Sequence, residues 1–215
     1  MPVKPPDPVR YPRRADRARR THQALVTAAA ELFAEVGYAA TTIEALAQRA
    51  GVGRATVFTS APGGKPQLLK EARDQAIAGD DEPVPIPQRS WFTDAMAQAD
   101  PRELLRRQAG NYRRILDRAA RLERALVTAA ATDPALADLH AEARRQRYFG
   151  SRLVAGRLGE VGALADPETA AETIYALCGH DVYLLLVDDR GWTQDRYESW
   201  LATQLIRGLL AQPSQ

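Results

Sequence analysis

Cysteine is nearly missing from this chain: Cys178 is the single one among 215 residues, so no intrachain disulfide can form. That usage fits a reducing, cytoplasmic setting. No apolar run reaches the roughly 18 residues a membrane span needs, so no membrane partner is expected. The first twenty residues also lack the apolar stretch of a secretory signal. Three scattered histidines and one cysteine have no metal-ligand spacing, so neither a metal nor another cofactor is expected. Ser-His-Asp and Cys-His arrangements and Gly-rich phosphate loops are missing too, which argues against an enzyme. Asp188-Asp189 and Glu160 read as solvated helix ends. Strand-like alternation and internal repeats are likewise not found.

What the chain does have is a real supply of core residues and a lopsided charge. Hydrophobic residues make up 45% and charged residues 26%, enough to bury a core in one large or two small domains. Residues 1–20 hold seven basic side chains against Asp7 and Asp16, while the remainder of the chain is net negative. A basic arm on a mildly acidic body points to a polyanion engaged at one end.

Helical periodicity dominates from Thr21 onward. Prolines at 2, 5, 6, 8 and 12 disfavour regular helix before that, so 1–20 reads as a flexible basic arm. Leu25, Ala28, Ala29, Leu32, Phe33 and Val36 form one apolar face, which Gly37 ends. Thr41-x-x-Glu44 has the pattern of a capping box opening a second helix. That helix carries Ile43, Leu46, Ala47 and Ala50 on its apolar side and stops at Gly51. Arg54–Ser60 can form a third helix, too short to stand alone. Beyond Ala61-Pro62-Gly63-Gly64 a fourth helix runs to Gly79, and the proline-rich 80–88 reads as a linker. Further helices are expected over 89–99, 101–119, 120–132, 134–160, 167–188 and 194–211. The fold class is all-α, with a small domain of short helices over 21–66 and a helical bundle over 67–215.

A helix, a tight Gly-containing turn and a short second helix make a helix-turn-helix. Its second helix need only enter the major groove and present a few side chains, and its N-terminal amides favour phosphate. The basic arm, with Arg13, Arg14 and Arg17, can track the backbone or reach the adjacent minor groove.

Residues 31–69, ELFAEVGYAATTIEALAQRAGVGRATVFTSAPGGKPQLL, resemble the TetR family of transcriptional regulators. The resemblance rests on LF-x-x-x-G-Y-x-x-T-T, on LAQRAGV, on T-V-F in the recognition helix and on the lysine opening the fourth helix. It implies that Thr42 bonds a phosphate at the start of helix two. It also implies that Arg54, Ala55, Thr56, Thr59 and Ser60 face the groove, that Phe58 stands at the family's usual tyrosine, and that Lys65 meets a phosphate. Two departures stand out. Phe58 lacks the phenolic hydroxyl, and Ala61 replaces a second aromatic beside a one-residue insertion, which is expected to loosen the third helix on the fourth. Arg54 is the favoured direct-readout residue, whereas Arg49 reads as solvated.

The C-terminal half resembles the family only in architecture: a helical effector-binding and dimerisation domain. An apolar cavity with a few polar groups suits a small-molecule effector. Trp91, Tyr112, Leu116, Tyr148, Tyr175 and Cys178 are its candidate lining, against the plainer reading that they are core. Tyr197, Trp200, Leu201, Leu205 and Leu209 recur at helical spacing on the last helix and are candidates for a homodimer interface; folding onto their own domain is the competing explanation. The function this implies is a ligand-responsive repressor that binds double-stranded DNA. The alternative is a helical interaction or ligand-binding module with weakened DNA readout.

Overall fold

The computed structural model describes residues 10–164 and 166–210, with side chains from residue 14 onward. Every regular element among the described residues is helical. The chain divides into two compact units, Met1–Arg73 and Asp74–Gln215. The division falls inside helix α4 (Gly64–Ala78), past the boundary read at 66/67. The physical reason is that Leu68, Leu69 and Ala72, buried on α4, belong to the first unit.

In the first unit, α1 spans Arg10–Ala40 and is interrupted at Gly37, whose φ of 82° only glycine adopts without strain. Helix therefore already covers 10–20, where an arm was expected; Pro12 falls in its first turn, where proline costs no hydrogen bond. Leu25, Ala28, Ala29, Leu32 and Phe33 are buried, but Val36, the residue before the break, is 54% exposed. α2 covers Ile43–Arg49 and α3 covers Arg54–Ser60.

The second unit holds α5 (Ser90–Met96), α6 (Pro101–Ala130), α7 (Pro134–Glu160), α8 (Pro167–Leu177), α9 (His180–Leu184) and α10 (Gln194–Leu209). Asp100, Asp133 and Asp166 each cap a helix that begins with proline, their carboxylates accepting from the amides of the first turn. The two helices read at 101–119 and 120–132 are one, because Ala119-Ala120 offers no break. The helix read at 167–188 is instead broken at Cys178-Gly179 and closes in a π-helical turn at Leu185–Asp189. A Cβ on Gly179 would sit 3.3 Å from Arg147 Nη1, a tight contact, so glycine leaves room for that guanidinium. No single helix among the described residues is long and apolar enough to cross a membrane.

The segment read as a linker is held down. Arg89 is 7% exposed, and its guanidinium donates to Asp80 Oδ2 (2.6 Å) and Oδ1 (3.0 Å). It also donates to the carbonyls of Glu82 (3.0 Å) and Val84 (3.0 Å), and Ile86–Gln88 forms a 3-10 turn. The hydrogen bond from Arg89 holds the Asp80 carboxyl below its ordinary value. Arg89→Ala should therefore lower the thermal midpoint at neutral pH by about 3–6 °C. A carboxyl with a lowered folded value stabilises above its unfolded value and loses that contribution as pH falls through the folded one. Wild-type and variant melting curves, recorded by circular dichroism, should thus draw closer in acid, with a gap left by the bonds to the Glu82 and Val84 carbonyls.

Candidate nucleic-acid interface

The turn between α2 and α3 is built from backbone bonds. Gly51, at φ 67°, donates its amide to the Gln48 carbonyl (3.2 Å), and Val52 donates to Ala47 (2.9 Å). This Schellman closure satisfies the last carbonyls of α2 and turns the chain within two residues. At the other end of α2 the cap is Thr42, whose hydroxyl accepts from the Ala45 amide (3.1 Å). The expected box began one residue earlier. Thr41 instead is 1% exposed and donates to the Gly37 carbonyl (2.8 Å). Thr42 therefore sits exposed at the start of α2 with its hydroxyl proton available to a phosphate oxygen.

α3 is seated by one residue, Val57, which is fully buried. The other side is open: Arg54, Ala55, Phe58 and Thr59 are exposed, while Thr56 and Ser60 are half-buried. Phe58 is 51% exposed, an unusual place for a large apolar ring. Thr59 spends its hydroxyl proton on the Thr56 carbonyl (3.1 Å). Arg54 Nη1 lies 2.7 Å from Glu44 Oε1, so the carboxylate read as a cap partner pairs with the proposed reading residue.

Three further contacts hold these helices. Arg49, read as solvated, bridges to Glu31 Oε2 (2.9 Å) and Glu35 Oε2 (2.9 Å) on α1, and the bond to Arg49 lowers the Glu35 carboxyl below its ordinary value. His22 Nδ1 lies 2.8 Å from the Ser60 carbonyl. A carbonyl only accepts, so Nδ1 carries a proton. Nε2 then faces Glu71 Oε2 at 2.8 Å, ion-pair distance though without hydrogen-bond alignment. His22 thus fastens α1 to the end of α3 and to α4. Lys65 Nζ donates to the Tyr38 carbonyl (2.7 Å) and lies 4.2 Å from that ring's centroid; desolvation lowers its ammonium below the usual lysine range. Ala61 is fully buried and closes α3 by donating its amide to the Val57 carbonyl (2.8 Å). Arg14 and Arg17 are exposed on α1; the side chain of Arg13 and the arm before residue 10 lie outside the described residues.

In the second unit, four of the candidate lining residues gather round a side chain the sequence did not single out, Arg147. Its guanidinium lies 3.6 Å from the Tyr175 ring centroid and donates to the Tyr175 carbonyl (2.6 Å). Tyr148 meets Tyr175 edge to face at 5.7 Å between centroids. Burial pushes the Tyr112 hydroxyl and the Cys178 thiol well above their ordinary values, and Arg147 opposes both shifts. Leu116 is buried in the same core, and Trp91 packs against Phe92. The dimer candidates need correction. Tyr197, Leu201 and Leu205 are fully buried within their own chain and have no surface to offer a second copy. Of that set, only Trp200 and Leu209 keep partly exposed surface.

Residues 25–72 match the family described as bacterial regulatory proteins, tetR family. No curated protein matches the chain in sequence. A structure described as a transcriptional regulator from Saccharomonospora viridis in complex with choline is similar, with a TM-score of 0.69 at 19% identity, covering 92% of this chain and 100% of that one. Another, described as a TetR-family transcriptional regulator from Rhodococcus sp., has a TM-score of 0.67 at 16% identity, over 90% of this chain and 100% of that one. PfmR, a TetR-family transcriptional regulator from Thermus thermophilus, has a TM-score of 0.61 at 22% identity, over 87% and 99% of the two chains. At these identities the likeness is one of fold.

Proposed function

We propose, from a chain that carries the TetR-family DNA-binding domain over residues 25–72, that it is a sequence-specific repressor: a homodimer on a palindromic operator, released by a small molecule in the second unit. The observation that carries this reading is the open side of α3, where Arg54, Ala55, Phe58 and Thr59 face solvent while Val57 seats the helix. A helix exposed on that side can lie in a major groove with its N-terminal residues on base edges. Thr42, exposed at the start of α2, supplies a phosphate contact, and Arg14 and Arg17 add sequence-independent attraction. Two copies would set their recognition helices about one DNA turn apart.

Ligand response is supported by fold-level neighbours. One is described in complex with choline and another as a SmeT–triclosan complex. A ligand can shift DNA affinity only through unequal affinity for the two states of the protein. The cluster of Tyr112, Tyr148, Tyr175 and Cys178 round Arg147 is the candidate place for such a difference.

Arg54 is the residue to test. A bidentate arginine–guanine pair contributes roughly 1–3 kcal/mol of discrimination. Arg54→Ala should relax the preference at one position of each half-site while leaving other positions unchanged, read by selection from a random DNA pool. Equal weakening on all sequences would make Arg54 a phosphate residue.

The Arg54–Glu44 ion pair gives the second reading its one support, because a guanidinium held by a carboxylate must exchange partners before it reads a base. Selection with the wild-type protein separates the two. A two-fold palindrome is expected from the regulator. Sequence-independent enrichment lost at modest salt belongs to a module with weakened readout.

A further inference from the structure

The second unit carries a pocket away from the tyrosine cluster, in the groove between α6 and α10. Its volume is about 550 Å³, within the usual range for small-molecule sites. α10 lies antiparallel to the first half of α6. Arg113 on α6 holds Glu198 near the start of α10 (3.0 Å), and the pocket joins Arg102 on α6 to Ile206 and Arg207 near the end of α10. Its walls bring three guanidiniums, from Arg102, Arg106 and Arg207, against a single carboxylate, Glu198.

That carboxylate is already engaged by Arg113. Arg106 reaches Glu103 only at 3.4 Å, and Glu103 is bonded more closely by Arg107 (2.9 Å). Neither Arg102 nor Arg207 has an acidic partner among the described residues. Ser199 adds a hydroxyl, whereas Thr203 gives its proton to the Ser199 carbonyl (2.8 Å). The wall is mixed: Ala202 and Ile206 give it an apolar strip beside the polar groups. A groove with two unpaired guanidiniums and a hydroxyl beside a short apolar strip repels cations and suits a small anion with a short carbon body.

We propose that this groove binds a small organic dianion, a dicarboxylate or a phosphate monoester. Guanidiniums pair bidentately with carboxylate and phosphate alike, and a phosphate monoester carries close to two negative charges at neutral pH. The two unpaired arginines match that charge. The same charge disfavours a second copy as the occupant, since a two-fold contact over this groove would bring six guanidiniums against two carboxylates. The proposal does not rest on the DNA-binding reading.

Titration calorimetry of the full chain tests it, with succinate and glucose 6-phosphate as probes and glucose and choline as uncharged and cationic controls. One site per chain is expected for at least one dianion and none for the controls. Arg102→Gln and Arg207→Gln should each weaken binding at least tenfold. Arg152→Gln, which removes an exposed arginine on α7, should not. The proposal is overturned if neither dianion binds at millimolar concentration, or if both groove variants bind like wild type. It is also overturned if Arg152→Gln weakens binding as much as they do, which would show attraction to net charge alone. Light scattering on the groove variants adds a last check: a change in mass with no dianion bound to wild type would assign the groove to a second copy.

Discussion

Val57→Asp is expected to abolish DNA binding. α3 has seven residues, too few to hold helix in water, and its N-cap, Gly53, offers no side chain to the orphan amides. Val57 is its one buried residue and is fully buried, so the recognition helix depends on this contact and on backbone turns. An unpaired carboxylate at that position costs more than about 4 kcal/mol, comparable with the whole stability of a unit this small. Val57→Ala keeps an apolar residue and should cost about 1–2.5 kcal/mol, weakening DNA binding without ending it. The measurement is fluorescence anisotropy on the selected operator, with circular dichroism to follow helix content. Only part of the helical signal should disappear in the aspartate variant, because α5–α10 belong to the other unit. Operator binding retained by Val57→Asp would sink the assignment of α3 as the reading element.

The second large effect lies at Tyr197, and its sign depends on which atoms are removed. Tyr197 is fully buried and packs edge to face on Tyr183 with centroids 4.9 Å apart. Its hydroxyl has no hydrogen-bond partner among the described residues, while that of Tyr183 donates to Asp117 Oδ1 (3.1 Å). Tyr197→Ala removes a ring from a close-packed core and should cost about 3–5 kcal/mol. Tyr197→Phe removes only the unpaired hydroxyl. A buried polar group without a partner costs about 1–3 kcal/mol, so this variant should be neutral or more stable than wild type. Urea unfolding of both variants checks the pair. A clearly destabilised Tyr197→Phe would mean that the hydroxyl is satisfied in solution.

Much of the first unit was legible because its chemistry is local. Gly37 and Gly51 mark positions that need positive φ, and the apolar spacing from Leu25 to Phe33 places one helix face inward. The capping residue was read one position early. Thr41 and Thr42 are chemically alike, and which of them turns extended depends on the backbone coming out of Gly37. Partners distant in sequence were not legible. Nothing near Arg49 names Glu31 or Glu35, and nothing in DDEPVPIPQ shows that Arg89 gathers that segment. Arg147 lay in a charged run on α7 that reads as a solvated face, until α8 brings Tyr175 over it.

By itself the sequence determined that the chain is helical, where most helices begin, and that a helix-turn-helix sits ahead of a longer helical unit. Capping side chains, prolines and glycines act on their own backbone, so their meaning survives without a fold. Only the tertiary structure decided which surfaces are used up. Tyr197, Leu201 and Leu205 looked fit for a partner chain and are spent inside their own. Periodicity says that a helix has an apolar face, but what covers that face depends on helices far away in the chain.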